Sequence, residues 1–354
     1  MPEPEKTYRI IQWMTGDVGQ VGVRHFADNP VYDLVGVLVH STDKVGRDAG
    51  EIAGIAPTGV IATDDIEAVV AIDADCVFYT PVIMDTETVC RLLRSGKNVV
   101  TTSGFFYPTP DFAADGDKIR AACRDGGTSF HAGGIHPGYA GDILPLTLAR
   151  VVSRIDKIVV EEVVNVLADA PLDHIDWLGF GKDRDAFLTE PTILGLGVPF
   201  FAQSMHMIAD GLGVTIDEVV AAEVRAAVAT EDIPHELGVI PGGTVAAQRH
   251  EWTARVDGRP LIVFHAIYTT TTPDKLEPAW ELGKTRYRIA IEGDPATELI
   301  LQGVERPDGS MAHPGYDWTA MGAINAIPDV CDAAPGWLTH LDLGLVRPRG
   351  LVRT

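Results

Sequence analysis

Arg9-Ile10-Ile11-Gln12-Trp13-Met14-Thr15-Gly16-Asp17-Val18-Gly19 is the stretch whose pattern decides the fold. Its first five residues have the character of a short buried strand, and glycines follow almost at once. Beyond them Val18, Val21, Gly22 and Phe26 recur at helical spacing until Asp28-Asn29-Pro30 stops the run. A strand that turns through glycines straight into a helix is the opening of a dinucleotide-binding unit, whose pattern is G-x-G-x-x-G. Glycine lets the turn tighten and lets a pyrophosphate approach backbone N–H groups at the helix N-terminus, where the helix dipole favours negative charge. Here the second and third glycines stand as Gly16 and Gly19, and Met14 occupies the first position. Thr15, Gly16, Asp17, Val18 and Gly19 are therefore the expected pyrophosphate-binding residues. A purely structural glycine turn is the alternative.

Outward from that turn the alternation of strand and helix continues. Strands are expected at Leu34 to Val39, weakly at Gly59 to Ala62, then at Cys76 to Tyr79, Asn98 to Thr102 and Thr128 to His131. Helices fall at about Asp85 to Ser95 and Asp111 to Arg124. Such alternation implies a doubly wound parallel sheet, a Rossmann domain over 1–135, with its ligand at the C-terminal ends of the strands. After residue 135 longer strands alternate more regularly: Ile155 to Val166, Thr244 to Val256, Leu261 to Thr269 and Thr285 to Glu292. They predict a second, α+β domain over 136–316 with an open, largely antiparallel sheet. A helix from about Leu194 to Leu212 lies between the first two of them, and a last helix spans about Trp318 to Cys331 in a C-terminal segment, 317–354.

The end of the second strand contacts the adenosine ribose in such domains, and an acid there marks NAD. This chain has Val39-His40-Ser41-Thr42-Asp43-Lys44 instead. His40, Ser41 and Lys44 can each donate to a 2′-phosphate, so NADP(H) is expected, with NAD(H) possible as a second cofactor. Solvated loop polarity is the alternative.

Composition narrows the partners. The 354 residues carry a net charge of −22, which repels phosphate backbones and anionic bilayers, so neither nucleic acid nor membrane is expected as a partner. No apolar run approaches the roughly 18 residues of a membrane span, and no secretory pattern opens the chain, so a cytoplasmic protein is expected. Cys76, Cys90, Cys123 and Cys331 form no CxxC pair, and His and Cys spacings suggest no metal site.

Several segments resemble a known family. They are QWMTGDVG (12–19), HSTDKVGRDAGEIAG (40–54) with PTGVIATDD (57–65), FYTP (78–81), NVVTT (98–102), GGIHPGY (133–139) and NAIPDVCDAAPGWLTHLDL (325–343). Together they resemble the dihydrodipicolinate reductase N-terminal-like group, which includes 2,4-diaminopentanoate dehydrogenase and the native amine dehydrogenases. The resemblance implies an NAD(P)H-dependent oxidoreductase acting on a small ketone, imine or amine in a cleft between the domains. It also implies a homodimer formed through the open sheet, and a C-terminal segment that returns to the cofactor domain. The cofactor-facing set then extends to Thr80, Pro81, Thr102, Ser103, Ile135, Pro137 and Asn325.

One departure stands out. The family has a glutamate shortly after the fifth strand that is proposed to activate ammonia, whereas Thr102-Ser103-Gly104-Phe105-Phe106-Tyr107-Pro108 contains no acid. Proton transfer then falls to His136, Tyr107 or Tyr139, with hydrogen bonding within the turn or pocket lining as their alternative roles. His174, Trp177 and His206 are the expected substrate contacts. Carbonyl reduction without amination, or a non-catalytic NADP-binding redox sensor, are the competing functions.

Overall fold

The computed structural model describes residues 6–169, 175–281, 285–305 and 314–352. Contacts divide the chain into two units, one running to Tyr139 and resuming at Tyr316, the other Ala140–Gly315.

In the first unit β1 (Tyr8–Trp13) leads into α1 (Asp17–Asp28) and β2 (Tyr32–Leu38). Then follow β3 (Cys76–Tyr79), α2 (Thr86–Arg94), β4 (Asn98–Thr101), α3 (Ala113–Gly126) and β5 (Ser129–Ala132). The sheet order is β5-β4-β3-β1-β2, every pairing is parallel, and a strand from the far end of the chain, Gly336–Leu338, joins outside β5. β1 therefore has β2 on one side and β3 on the other. That reversal of winding direction opens a crevice beyond the C-terminal ends of β1 and β3, where ligands of such sheets bind.

Two sequence expectations fail here, each for a local reason. Gly59 to Ala62 forms no strand and contributes only an isolated bridge, Asp48 to Ile61. The Asp48 carboxylate gathers the N–H groups of Gly50, Thr58 and Gly59, which wraps the segment around one side chain. The last helix is also broken, into Pro314–Ile324 and Ile327–Asp332. Pro328 has no N–H to give the carbonyl of Ile324, and its ring crowds that carbonyl; the hydroxyl of Tyr32 takes the freed oxygen at 3.2 Å.

The second unit is a seven-stranded sheet. Its strands are β6 (Arg154–Asn165), β7 (Glu218–Ala229), β8 (Val245–Val256), β9 (Arg259–Thr269), β10 (Leu276–Glu277), β11 (Arg286–Asp294) and β12 (Thr297–Gln302). The order is β10-β7-β8-β9-β6-β11-β12, and all neighbours are antiparallel except β9 and β6. A helix, α4 (Thr192–Leu212), lies on one face, with Phe201 packed on Trp252 of β8 at 4.6 Å between ring centroids. The sequence reading assigned no element to β7. Its alanines and charges, EVVAAEVRAAVA, favour helix, and pairing with β8 along its length overrides that preference. Among the described residues no single helix is long and apolar enough to cross a membrane.

Candidate cofactor site

The glycine turn has an internal logic. Met14 sits at φ 73°, the left-handed conformation for which the missing first glycine would be suited. Gly19 is obligatory, because a Cβ there would lie 2.2 Å from the Met14 carbonyl oxygen. Gly16 is different: its φ of −69° suits any residue, and a Cβ added to it would meet nothing within 4 Å. No protein atom explains that glycine.

Helix α1 also starts without a side-chain cap, whereas Asp85 caps α2 by accepting from the Thr88 N–H. The first N–H groups of a helix have no partner inside it. Gly16 and α1 together leave a bare, spacious, partially positive corner at the end of β1, and the pyrophosphate of a dinucleotide fits that corner. Asp17 opens the helix and is exposed, while Val18 packs against the core behind it. Beneath the turn lies Gln12, fully buried. Its Nε2 donates to the Met14 carbonyl at 2.8 Å and to Thr80 Oγ1 at 3.0 Å.

At the end of β2, His40 and Ser41 are exposed. The Ser41 side chain bonds the carboxylate of Asp43 and holds its pKa below the usual range. Lys44 reaches back, and its Nζ donates to the Thr15 carbonyl at 2.9 Å, so a cation stands between the ribose corner and the glycine turn.

The remaining expected cofactor contacts lie at the ends of β3, β4 and β5. Thr80 donates Oγ1 to the Trp13 carbonyl at 3.0 Å, tying the end of β3 to β1, with Pro81 next to it. Thr102 and Ser103 follow β4, and the Ser103 N–H closes onto Thr101 Oγ1 at 3.0 Å. The Gly133 N–H donates to the Thr101 carbonyl at 2.9 Å, which holds the turn after β5 beside β4. In that turn Ile135 and Pro137 are buried and His136 is half-buried. Gly138, at φ 131°, is required because a Cβ would strike Gly134 at 2.3 Å. Gly322 of the helix Pro314–Ile324 packs on the same turn, a Cβ there lying 2.5 Å from the Gly134 oxygen. Asn325 lies just past the end of that helix, and its Oδ1 is buried without a hydrogen bond. Tyr107 is buried and Tyr139 exposed.

Trp177 and His206 belong to the second unit, on the helices Ile175–Leu178 and α4, and Trp177 is exposed. His174 lies outside the described residues.

Sequence reasoning missed one buried pair. His131 of β5 donates its Nδ1–H to the Leu338 carbonyl at 2.8 Å, and its ring meets that of His340 edge to face at 4.8 Å. Burial lowers the pKa of His131 to about 4 and takes that of His340 well below the ordinary value. Both rings are neutral fillers between β5 and the returning segment. Only their separation in sequence hid them. Among the described residues no group of three or more His, Cys, Asp or Glu side chains could hold a metal ion.

Comparison with known proteins adds to this geometry. The 2,4-diaminopentanoate dehydrogenase C-terminal domain matches residues 139–352. An amine dehydrogenase of Streptomyces virginiae is 32% identical over 95% of this chain and 96% of its own length. A 2,4-diaminopentanoate dehydrogenase of Acetoanaerobium sticklandii is 25% identical over 67% of this chain and 63% of its own. The solved structure of an amine dehydrogenase from Mycobacterium smegmatis superposes with a TM-score of 0.78 at 20% identity, covering 97% of this chain and 98% of that one. The chain belongs to the 2,4-diaminopentanoate dehydrogenase and amine dehydrogenase family of NAD(P)-dependent oxidoreductases.

Proposed function

We propose that this protein interconverts a small, largely apolar ketone and its amine, using NADP(H) in preference to NAD(H). The observation that carries the reaction is its similarity to an amine dehydrogenase along nearly the whole chain. The cofactor preference rests on Lys44 beside the Thr15 carbonyl and on the one nearby acid, Asp43, being bonded to Ser41. Thr15 to Gly19 hold the pyrophosphate, His40 and Lys44 the 2′-phosphate. Thr80, Pro81, Thr102, Ser103, Ile135, Pro137 and Asn325 line the nicotinamide end. When bound, the nicotinamide supplies or takes up the hydride.

The protein's own task is then to orient the substrate and to deliver a proton. His136 is the donor of choice, since an imidazole is suited to proton transfer near neutral pH; Tyr107 and Tyr139 are the alternatives. Trp177 and His206 of the second unit are the candidate substrate contacts. Replacing His136 by Asn should cut turnover roughly 100-fold while leaving NADPH affinity nearly intact. Retained turnover would leave the two tyrosines.

A second reading has its own support. The segment after β4 offers no carboxylate to polarise ammonia, which favours carbonyl reduction without amination. Following NADPH consumption with a panel of ketones, with and without ammonia, separates the readings. Ammonia-dependent oxidation establishes amination, oxidation without ammonia establishes carbonyl reduction, and no turnover with any ketone leaves a cofactor-binding sensor.

A homodimer through the second unit's sheet completes the proposal. On the face opposite α4, Glu223, Glu251, His265, Glu161 and Arg288 stand in register across five strands. His265 bonds Glu251 at 3.1 Å in the middle of the row. A mixed-charge face of this kind pairs best with a copy of itself at low salt. A monomer mass by light scattering in low-salt buffer would exclude it.

A further inference from the structure

We propose that Gln12 is a positioning residue for the cofactor. Its amide fixes the Met14–Thr15 peptide so that the Thr15 N–H faces the pyrophosphate. The proposal rests on the reading that the turn from Met14 to Gly19 holds the dinucleotide.

A glutamine in the middle of a parallel sheet is out of place. β1 lies between β2 and β3, and Gln12 stands opposite Val37 and Phe78 with no exposure to solvent. One end of its amide gains nothing, because Oε1 is buried without a hydrogen-bond partner. Leucine at this position would avoid that loss. Space for the amide comes from α1, where a Cβ on Gly22 would lie 2.4 Å from Oε1 and one on Gly19 would lie 3.0 Å from Nε2. Two helix positions are thus glycine partly to admit one buried polar side chain.

The benefit must therefore come from Nε2, and all of its contacts converge on the turn. It donates to the Met14 carbonyl at 2.8 Å and to Thr80 Oγ1 at 3.0 Å, and approaches the Phe78 carbonyl at 3.5 Å. Because carbonyls can only accept, they fix which end of the amide is nitrogen. Thr80 Oγ1 accepts from the amide and has the Trp13 carbonyl at 3.0 Å and the Met14 carbonyl at 3.2 Å for its one proton, so the amide is itself held in place and the Met14 oxygen is flanked by both side chains.

What is clamped is a strained residue. Met14 stands at φ 73°, where a Cβ is unfavourable and where a glycine would rest without cost. In a planar trans peptide the carbonyl and the following N–H point in opposite directions. With the Met14 oxygen drawn inward by Gln12, the Thr15 N–H is turned outward, beside the bare start of α1. The carbonyl on the far side of Thr15 is held by Lys44. Gln12 does the work that a glycine at position 14 would do by conformational freedom alone.

A double-mutant cycle between positions 12 and 14 tests this, read by fluorescence titration of NADPH onto the purified protein and by melting of the cofactor-free protein. Gln12→Leu should weaken NADPH binding about tenfold, the worth of one or two good hydrogen bonds. In turnover it should raise the NADPH KM and leave kcat nearly unchanged. In a Met14→Gly background, where the left-handed conformation needs no clamp, the same change should cost roughly twofold. An equal loss in both backgrounds would mean that Gln12 merely packs β1 against α1 and would overturn the proposal, as would unchanged binding in Gln12→Leu. Should Gln12→Leu not fold, Gln12→Met, which keeps the length of the side chain and removes the donor, enters the same cycle with the same two expected losses. A Gly16→Val protein that binds NADPH normally would instead show that the turn is not the cofactor site, a failure distinct from that of Gln12.

Discussion

The two ends of the parallel sheet in the first unit are finished in opposite ways. At the N-terminal end polar groups are paired off. The Tyr8 hydroxyl donates to Asp332 at 2.7 Å and accepts from Arg349 at 2.7 Å, and Arg349 also reaches Asp329 at 3.0 Å. Asn29 ties the α1–β2 connection to the end of the chain by donating to the Arg349 carbonyl at 2.9 Å. At the C-terminal end the start of α1 is bare, Gly16 faces open space and Asn325 Oδ1 has no partner. Both ends belong to the same strands, so the difference is not one of fold. One end is built for stability, and the other is left unsatisfied for a ligand to complete.

The contrast predicts that substitutions at the two ends separate binding from stability. The largest effect is expected at Gly16. Gly16→Val needs no unusual backbone conformation and its Cβ meets no protein atom within 4 Å, so the cofactor-free protein should lose only the small N-cap preference for glycine and melt within a few degrees of the parent. The added methyl groups occupy the place of the pyrophosphate and should weaken NADPH and NADH alike, by roughly 100-fold or more. A lowered melting temperature with unchanged cofactor binding would reverse the assignment of this end.

At β5 the open end is sealed, which sharpens the comparison. The returning strand Gly336–Leu338 covers that edge, and His131 and His340 are buried beneath the turn as neutral rings. The nearest charge acting on His131 is Asp342, already held in the capping box of Thr339. The folded-state pKa of His131, about 4, lies below its unfolded value, so the unfolded chain binds the extra proton. Stability should therefore be full above the ordinary histidine pKa and fall as pH drops from there toward 4. The loss from His131 is on the order of 3 kcal/mol, and His340 adds to it in the same direction. Melting curves between pH 7 and 4 should be flatter for His131→Gln, which can still donate to the Leu338 carbonyl. An unchanged pH slope would place the acid sensitivity elsewhere.

The mirror experiment belongs to the closed end. Arg349→Ala takes a donor from the buried Tyr8 hydroxyl and a cation from Asp329 and Asp332, which keep Arg347 and Lys6 respectively, and should cost about 1 kcal/mol, read as a melting temperature lower by a few degrees. NADPH affinity should not move. A loss of affinity would mean that the two ends are coupled through β1.

How much of this could be read in the sequence follows physical range. The run from Arg9 to Phe26 was legible because its signals are local: an apolar strand, glycines at fixed offsets, a helical period. β3 and α2 were found within a residue for the same reason, Asp85 marking the start of the helix. The strand Gly336–Leu338 was not, since three residues carry no period and their partner lies at Ser129 to His131. The break at Pro328 was missed because the apolar period runs on through it. Gln12 was visible only as a polar interruption in a strand; that it substitutes for the glycine missing at Met14 is a matter of a contact two residues away in sequence but across a turn in space.

The smallest expected effect tests the edge between the two treatments. Lys44 donates to a backbone carbonyl, and the adjacent Asp43 carboxylate, bonded to Ser41, is the acid that feels its charge. A 2′-phosphate at the end of β2 would meet that charge, whereas a 2′-hydroxyl would meet a side chain already bonded to Thr15. Lys44→Ala should therefore weaken NADPH roughly tenfold, the scale of one charge-assisted hydrogen bond, and NADH by no more than about twofold. The NADPH loss should shrink as salt is raised, because an exposed charge pair is screened. Gly16→Val cannot produce this pattern, since it obstructs a part that the two cofactors share. If Lys44→Ala weakens both cofactors equally, then Lys44 serves the turn by holding the Thr15 carbonyl, and the ribose corner does not discriminate through this residue. If neither affinity changes, the 2′-position lies beyond its reach, and His40 is left as the donor that distinguishes the cofactors.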